Sequence, residues 1–157
     1  MTQNKHMTYE LDDFDRGIIQ KLEADGRMPF SQIADELGIS NTMVHKRMAK
    51  LLRKKIITKI NPTYDEKRLG YGFGAFTGIV LDKEHKTQKV IEALKKIPEV
   101  TECHFIAGQY TLYVRIFAKD QEDLRRILYD VIDNIDGVAK TESMIDLGCA
   151  FKRNIAF

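Results

Sequence analysis

A chain of 157 residues can hold one domain or two small ones, and its 43% apolar and 31% charged residues are those of an ordinary soluble globular protein. No apolar run approaches the ~20 residues needed to span a bilayer, and the polar start MTQNKHMTYELDD lacks the apolar core of a signal peptide. A cytoplasmic protein with no membrane partner is therefore expected.

The net charge of +2 is unevenly placed. Residues 1–68 carry thirteen basic against ten acidic residues and residues 69–157 twelve against thirteen, which return the totals of 25 and 23. Only the N-terminal part has the balance of a polyanion binder. The cysteines, Cys103 and Cys149, lie far apart in apolar strand-like runs and read as small buried hydrophobes rather than as a disulfide or a metal site. His6, His45, His85 and His104 have no metal-ligand spacing. No metal and no cofactor are expected.

In chain order, residues 1 to about 10 read as a frayed tail. Asp12 caps a first helix, with Asp15 as its reciprocal partner three residues on. Phe14, Ile18, Ile19 and Leu22 form the apolar face of that helix, and Gly26 ends it. Pro29 forces Met28 out of the helical region. Residues 31–55, SQIADELGISNTMVHKRMAKLLRKK, then read as two short helices around a tight turn. Ile33, Ala34 and Leu37 recur at helical spacing. Gly38 stops the first helix by tolerating positive φ. Ser40 caps the second, with Ile39 and Val44 placed for a hydrophobic staple. Val44, Met48, Leu51 and Leu52 face inward, while Asn41, Thr42, His45, Lys46, Lys50, Arg53 and Lys54 face outward. Ser40 to Pro62 holds seven basic residues and no acidic one. Charges crowded this way repel each other, and a polyanion relieves them. The pattern is a helix-turn-helix whose second helix enters a DNA major groove. Its candidate DNA-contacting residues are Ser40, Asn41, Thr42, His45, Lys46, Arg47, Lys50 and Arg53. Asn41, Thr42, His45 and Lys46 reach base edges, and Arg47, Lys50 and Arg53 serve as phosphate contacts or salt-bridge formers.

The three helices are expected to bury Phe14, Ile18, Leu22, Phe30, Ile33, Leu37, Val44, Met48 and Leu51. Ile56 to Ile60 is β-branched and reads as a strand, which makes the unit winged-helix-like. Asn61-Pro62 breaks it. The expected division is a DNA-binding domain at 1–61, a linker at 62–70 and a second domain at 71–157.

In the second domain the period changes. Residues 71–81 read as a strand. Its GYGFG run is not a dinucleotide fingerprint, because no helix begins after it; its glycines allow close backbone packing or a bulge. Residues 86–97 form an amphipathic helix ended by Pro98. Strands at 100–107 and 111–118 flank a turn at Gly108-Gln109-Tyr110. Asp120 caps a helix with Leu124, Ile127, Leu128, Val131, Ile132 and Ile135 on one face, and Gly137 closes it. Residues 138–150 are the last strand. The order is βαββαβ, ferredoxin-like, so the fold class is α+β. Ile97-Pro98-Glu99-Val100 and Ile135-Asp136-Gly137-Val138 echo each other as helix-to-strand joints. Helices cover one sheet face only. The other is expected to carry Phe76, Phe105, Leu112 and Val114, or their strand neighbours, and to be covered by a second copy of the chain.

The runs LDDFDRGIIQKLEADGR and SQIADELGIS, followed by the Gly108-Gln109-Tyr110 hairpin, resemble the Lrp/AsnC family of bacterial and archaeal transcription regulators, also called feast/famine regulators. The resemblance runs from about Leu11 to Leu147. It implies a homodimer built on the C-terminal sheets and assembling further into octamers. It also implies an amino-acid or related effector held between dimers near a Gly-x-Tyr-Asp turn and the start of the last strand. By position that site would use Gly108, Gln109, Tyr110, Thr111, Thr141 and Ser143. Where the family usually has Asp after Gly-x-Tyr, this sequence has Thr111, which accepts a hydrogen bond but brings no charge.

The leading reading is a sequence-specific DNA-binding transcription regulator controlled by a small effector. Two alternatives stand beside it. One is an enzyme similar to the tetrapyrrole-decarboxylating proteins that resemble this family, with His85 or His104 catalytic. The other is a stand-alone small-molecule sensor. Neither needs the basic helix, and no nucleophile–base arrangement is visible.

Overall fold

The computed structural model describes residues 9–82 and 87–157. The expected tail before residue 9, the start of the helix expected at 86, and His85 lie outside the described residues. The chain divides into two compact units, one of residues up to 63 together with 155–157, the other of 64–154.

The first unit holds α1 (Asp13–Ala24), α2 (Phe30–Leu37) and α3 (Asn41–Arg53). Asp12 caps α1 by accepting the Asp15 N–H at 2.9 Å. Asp15 does not return the bond as a capping box would; its carboxylate is buried and turned toward α3. Nor does Gly26 end α1 through a left-handed turn: the helix stops at Asp25, whose backbone is extended. Gly38 does take the left-handed conformation, φ 64°, and closes α2. Ser40 Oγ accepts the Met43 N–H at 3.2 Å and starts α3. Ile18, Ile19, Leu22, Ile33, Ala34, Val44, Met48 and Leu51 make the core, with Phe30, Leu37, Ile39 and Ile57 packed against it. Two expected inward residues lie outside. Leu52 is exposed because Leu51 takes the inward position one residue, about 100°, earlier. Phe14 lies beneath a guanidinium instead of in the core.

The strand expected at 56–60 does not form. Lys55 adopts φ 57°, its N–H donates to Leu52 O at 2.9 Å, and the Ile56 N–H donates to Leu51 O at 2.9 Å. This is a Schellman close with a lysine where glycine is usual. Beyond it Ile57 returns to the core, and the run finds no strand to pair with among the described residues.

The second unit is β1 (Phe73–Leu81), α4 (Thr87–Leu94), β2 (Val100–Phe105), β3 (Leu112–Ala118), α5 (Gln121–Arg125) continuing as a π-helical turn (Arg126–Ile132), and β4 (Val138–Asp146). The sheet is antiparallel in the order β2-β3-β1-β4, the ferredoxin-like arrangement. The two echoed joints make the same bond: Val100 N–H to Ile97 O and Val138 N–H to Ile135 O, each 3.0 Å. The strands at 71–81, 100–107, 111–118 and 138–150 are all shorter than expected. The last helix departs from α geometry. Asp133 N–H reaches back five residues to Leu128 O at 2.9 Å, and Ile127 and Ile132, five apart, are both buried.

Val90, Leu94, Leu124, Ile127 and Ile132 pack on Ala75, Ile79, Leu112, Val114, Ile116 and Ala118. Leu112 and Val114 therefore belong to the helix-covered face and not to the open one. Alternation turns their neighbours Tyr113, Arg115 and Phe117 outward, together with Phe76 and Met144. Phe105 pairs with Leu112 and so shares its side, but at the strand's end it is 72% exposed. Both cysteines are exposed, against expectation. Cys103 lies on the edge strand β2 with partial shelter that pushes its thiol pKa up. Cys149 follows β4, and its Sγ donates to Phe151 O at 3.2 Å.

Candidate nucleic-acid interface and ligand site

The outer side of α3 presents Asn41, Thr42, His45, Lys46, Lys50 and Arg53 to solvent. Ser40 is exposed, with its hydroxyl engaged as the cap. The His45 ring stands edge-on to Phe30, centroids 4.9 Å apart at 74°, so its direction is set by α2. The Arg47 side chain turns instead to the start of α1. Its Nη1 donates to Asp12 Oδ1 and Oδ2 at 2.7 and 2.6 Å and to Asp15 Oδ1 at 2.8 Å. The bonds hold the Asp12 carboxyl below its ordinary range and raise the guanidinium. The Tyr9 hydroxyl donates to Asp15 Oδ2 at 3.0 Å. Lys50 Nζ stands 5.0 Å above the Tyr9 ring centroid, and its hydrogen bond with Tyr9 raises its pKa. Tyr9 and the two aspartates were missed as parts of this surface. Arg47 in the same helical row as the outward cations was the available signal, but its partners lie more than thirty residues away.

The second site lies on the sheet. Gly108, Gln109, Tyr110 and Thr111 sit together between β2 and β3. The Ile106 N–H donates to Thr111 O at 3.2 Å, and the Thr111 N–H to Ile79 O at 2.9 Å, which ties the turn to β1. The Tyr110 ring rests on Gly78, where an added Cβ would stand 2.5 Å from it. Its phenol bonds Glu142, and that bond raises the phenol pKa. Tyr113 continues the aromatic row, 6.4 Å from Tyr110 and stacked 6.0 Å from Phe76. Thr141 and Ser143 are not brought to Tyr110. They alternate with Glu142 onto the helix side of β4, where Thr141 Oγ1 donates to Asp133 Oδ1 at 2.6 Å and Ser143 Oγ bonds Thr77 Oγ1 at 2.8 Å. Glu142 is the neighbour of Tyr110 that sequence reasoning missed, because only the Gly78–Glu142 register reveals it.

At the other end of the open face, Arg115 lies between Phe76 and Phe117, 5.3 and 4.7 Å from their centroids. It bonds Asp146 at 3.1 Å, with Glu102 at 3.8 Å. A cavity of about 310 Å³ opens there, lined by Arg115, Phe117, Gly74, Asp146 and Cys149 among others. His104 is exposed and paired with Glu102 at 3.2 Å. Among the described residues no cluster of His, Cys, Asp and Glu could hold a metal, and no helix is long and apolar enough to cross a membrane.

A basic reading helix on one unit and a ferredoxin-like sheet with a tyrosine-bearing turn on the other define a DNA-binding transcription regulator with a ligand-binding domain. Residues 11–52 match the AsnC-type helix-turn-helix domain and residues 74–152 the Lrp/AsnC ligand binding domain. The chain is 30% identical over 147 residues to Regulatory protein AsnC of Escherichia coli K12, covering 94% of this chain and 97% of that protein. An HTH-type transcriptional regulator of Pyrococcus horikoshii is 36% identical over 141 residues, 90% of this chain and 92% of its own length. The structure of E. coli AsnC superposes with a TM-score of 0.87 over 94% of this chain and 99% of that one, at 30% identity. A feast or famine regulatory protein from M. tuberculosis, complexed with L-methionine, shares the fold at a TM-score of 0.85 and 24% identity, over 94% of this chain and 99% of that one. The chain belongs to the Lrp/AsnC family of transcription regulators.

Proposed function

We propose that this regulator reads operator DNA with the outer side of α3 and is switched by an amino acid or a close relative of one at the 108–111 turn. The observation that carries the reading is the run from Ser40 to Pro62, basic and free of acids, on a helix whose apolar side is already filled. Such a surface seeks phosphate. Asn41, Thr42, His45 and Lys46 reach base edges, with Ser40 beside them, while Lys50 and Arg53 approach the backbone. Phe30 supports this by fixing the His45 ring before DNA arrives.

At the turn, Glu142 beside the Tyr110 phenol offers a carboxylate to an ammonium group, a charge that Thr111 lacks. The L-methionine bound by the M. tuberculosis protein favours the same ligand class. Gly108, Gln109, Tyr110 and Thr111 would contact the ligand, with Thr141 and Ser143 flanking β1 on the opposite side. The aromatic open face is the surface we assign to a second copy, giving a homodimer that can stack into octamers. The reading is of a regulator acting in the cytoplasm and not of a catalyst: His104 stands exposed and paired with Glu102.

DNA binding is tested by fluorescence anisotropy on operator and random duplexes across a salt series. His45→Ala should narrow the gap between the two by ~1–3 kcal/mol. Lys50→Ala should weaken both and lower the salt slope by about one per protomer. Identical behaviour of the two variants would remove α3 as the reader. The effector is tested by thermal shift against the twenty amino acids. Among the described residues beyond its chain neighbours, a Cβ on Gly108 would come nearest to Ile106 Cγ2, at 4.0 Å, so Gly108→Trp should fold, bind DNA and lose the effector response. A full response in that variant places the ligand elsewhere.

A further inference from the structure

We propose that Arg47 does not touch DNA but positions α3: it locks the reading helix to the start of α1 through Asp12 and Asp15. The proposal rests on α3 being the reading helix. In the sequence Arg47 sits among Lys46, Lys50 and Arg53 and reads as a phosphate contact or a salt-bridge former. In the structure its side chain is 21% exposed, and that of Asp15 is 1% exposed. One nitrogen reaches three carboxylate oxygens within 2.8 Å, and the guanidinium lies 5.2 Å from the Phe14 centroid. The other Asp15 oxygen is taken by the Tyr9 hydroxyl. Withdrawing the guanidinium would leave a buried carboxylate without its counter-charge, which is strongly unfavourable. With Asp12 and Asp15 both bonded to it, the guanidinium presents no unmatched positive charge to phosphate.

The geometry explains why a directed ionic bond is used there. Val44, Met48 and Leu51 hold α3 on the core, but apolar contact has no direction and permits the helix to roll. A charge-assisted bond to carboxylates at the N-cap and first turn of α1 does have direction. It sets the rotation of α3 and hence where Asn41, Thr42, His45 and Lys46 point. Lys50 stands over the Tyr9 ring that bonds the same Asp15, yet it is exposed and stays open to phosphate.

The experiment measures operator and random-DNA affinity across a salt series for full-length Arg47→Lys, Asp15→Asn and the double variant Asp15→Asn/Arg47→Gln. Circular dichroism fixes a temperature at which each is folded. Lysine keeps the charge but has no planar group to lie over Phe14 while one nitrogen bonds both aspartates. Arg47→Lys should therefore lose about ten-fold in operator affinity, the scale of one misplaced base contact, with random-DNA affinity and salt slope unchanged. Asp15→Asn should do the same. The double variant, which leaves no buried unpaired charge, should keep the wild-type slope. The proposal is overturned if lysine restores full operator affinity, if the double variant's slope falls by about one, or if Asp15→Asn tightens random-DNA binding by releasing the arginine. Arg53→Ala is the control. If it too leaves the slope untouched, the reading of α3 as the DNA surface fails, and that is a different result from failure of the clamp.

Discussion

Gly78 and Tyr110 show how a single missing side chain places a functional one. An added Cβ would stand 2.5 Å from the ring, so Gly78→Ala must push Tyr110 off the sheet and away from Glu142. The expected loss is ~1–3 kcal/mol, as for other overpacked sites, read by urea unfolding. Adding Tyr110→Ala should recover most of it, and additive losses would mean the two do not touch in solution. Asp12 makes a pH prediction. Its hydrogen bond to Arg47, helped by the Asp15 N–H, lowers its folded pKa below the unfolded value. The unfolded chain therefore binds the proton more readily, and the stability Asp12 contributes is present above the ordinary carboxylate range. It is lost as pH falls through the lowered folded value. Asp12→Asn should melt earlier at neutral pH, and its deficit should vanish in strong acid. A deficit independent of pH would assign Asp12 to capping alone.

At the scale of elements, the close of α3 is the most exposed to test. Lys55 holds φ 57° without being glycine, a conformation that costs an L-residue ~1–2 kcal/mol. Glycine's extra unfolded entropy takes back part of that gain. Lys55→Gly should therefore still raise the melting temperature, by the equivalent of ~0.5–1 kcal/mol; a lower melting point would mean the lysine side chain itself is needed. The same segment marks the limit of reading elements from sequence. The caps at Asp12, Ser40 and Asp120, and the stop at Gly38, are local chemistry and were legible residue by residue. Whether Ile56 to Ile60 becomes a strand depends on a pairing partner, which no local pattern can supply. The sheet face was misassigned at Leu112 and Val114 for a related reason: an alternating run states that two faces differ but not which one the helices cover. For the candidate sites, the 108–111 turn was legible, while Glu142 and Tyr9 depend on contacts between distant parts of the chain.

For the whole molecule, the open face joins aromatic area to an ion pair. Side-chain exposure of Arg115 is 18% and of Asp146 12%, and among the described residues the Arg115 Nε finds no hydrogen-bond partner. If a second copy covers this face, as proposed, the pair becomes fully dry. Removing one member of a dry pair costs ~3–5 kcal/mol, whereas replacing both with apolar residues is close to neutral. Arg115→Met should thus weaken the dimer strongly in sedimentation equilibrium, and Arg115→Met/Asp146→Leu should restore it. A dimer indifferent to the single change would have its interface on another surface.

The π-helical turn at Arg126–Ile132 has a consequence for which changes in chain length the fold can absorb. Ile127 and Ile132 meet the core together only because the wide turn brings residues five apart onto one side. An ordinary helix brings residues four apart onto one side. Shortening the segment by one residue would therefore keep both isoleucines inward while the coil tightens. Tyr129, 63% exposed, is the residue to omit. The cost should be confined to the bonds that Asn134 makes to Tyr129 O and Asp130 O, about 1 kcal/mol each. Omitting one residue from α4 has no such slack and should unfold the unit. Paired thermal melts of the two deletions would show whether this turn is a place where the chain tolerates a change in its count.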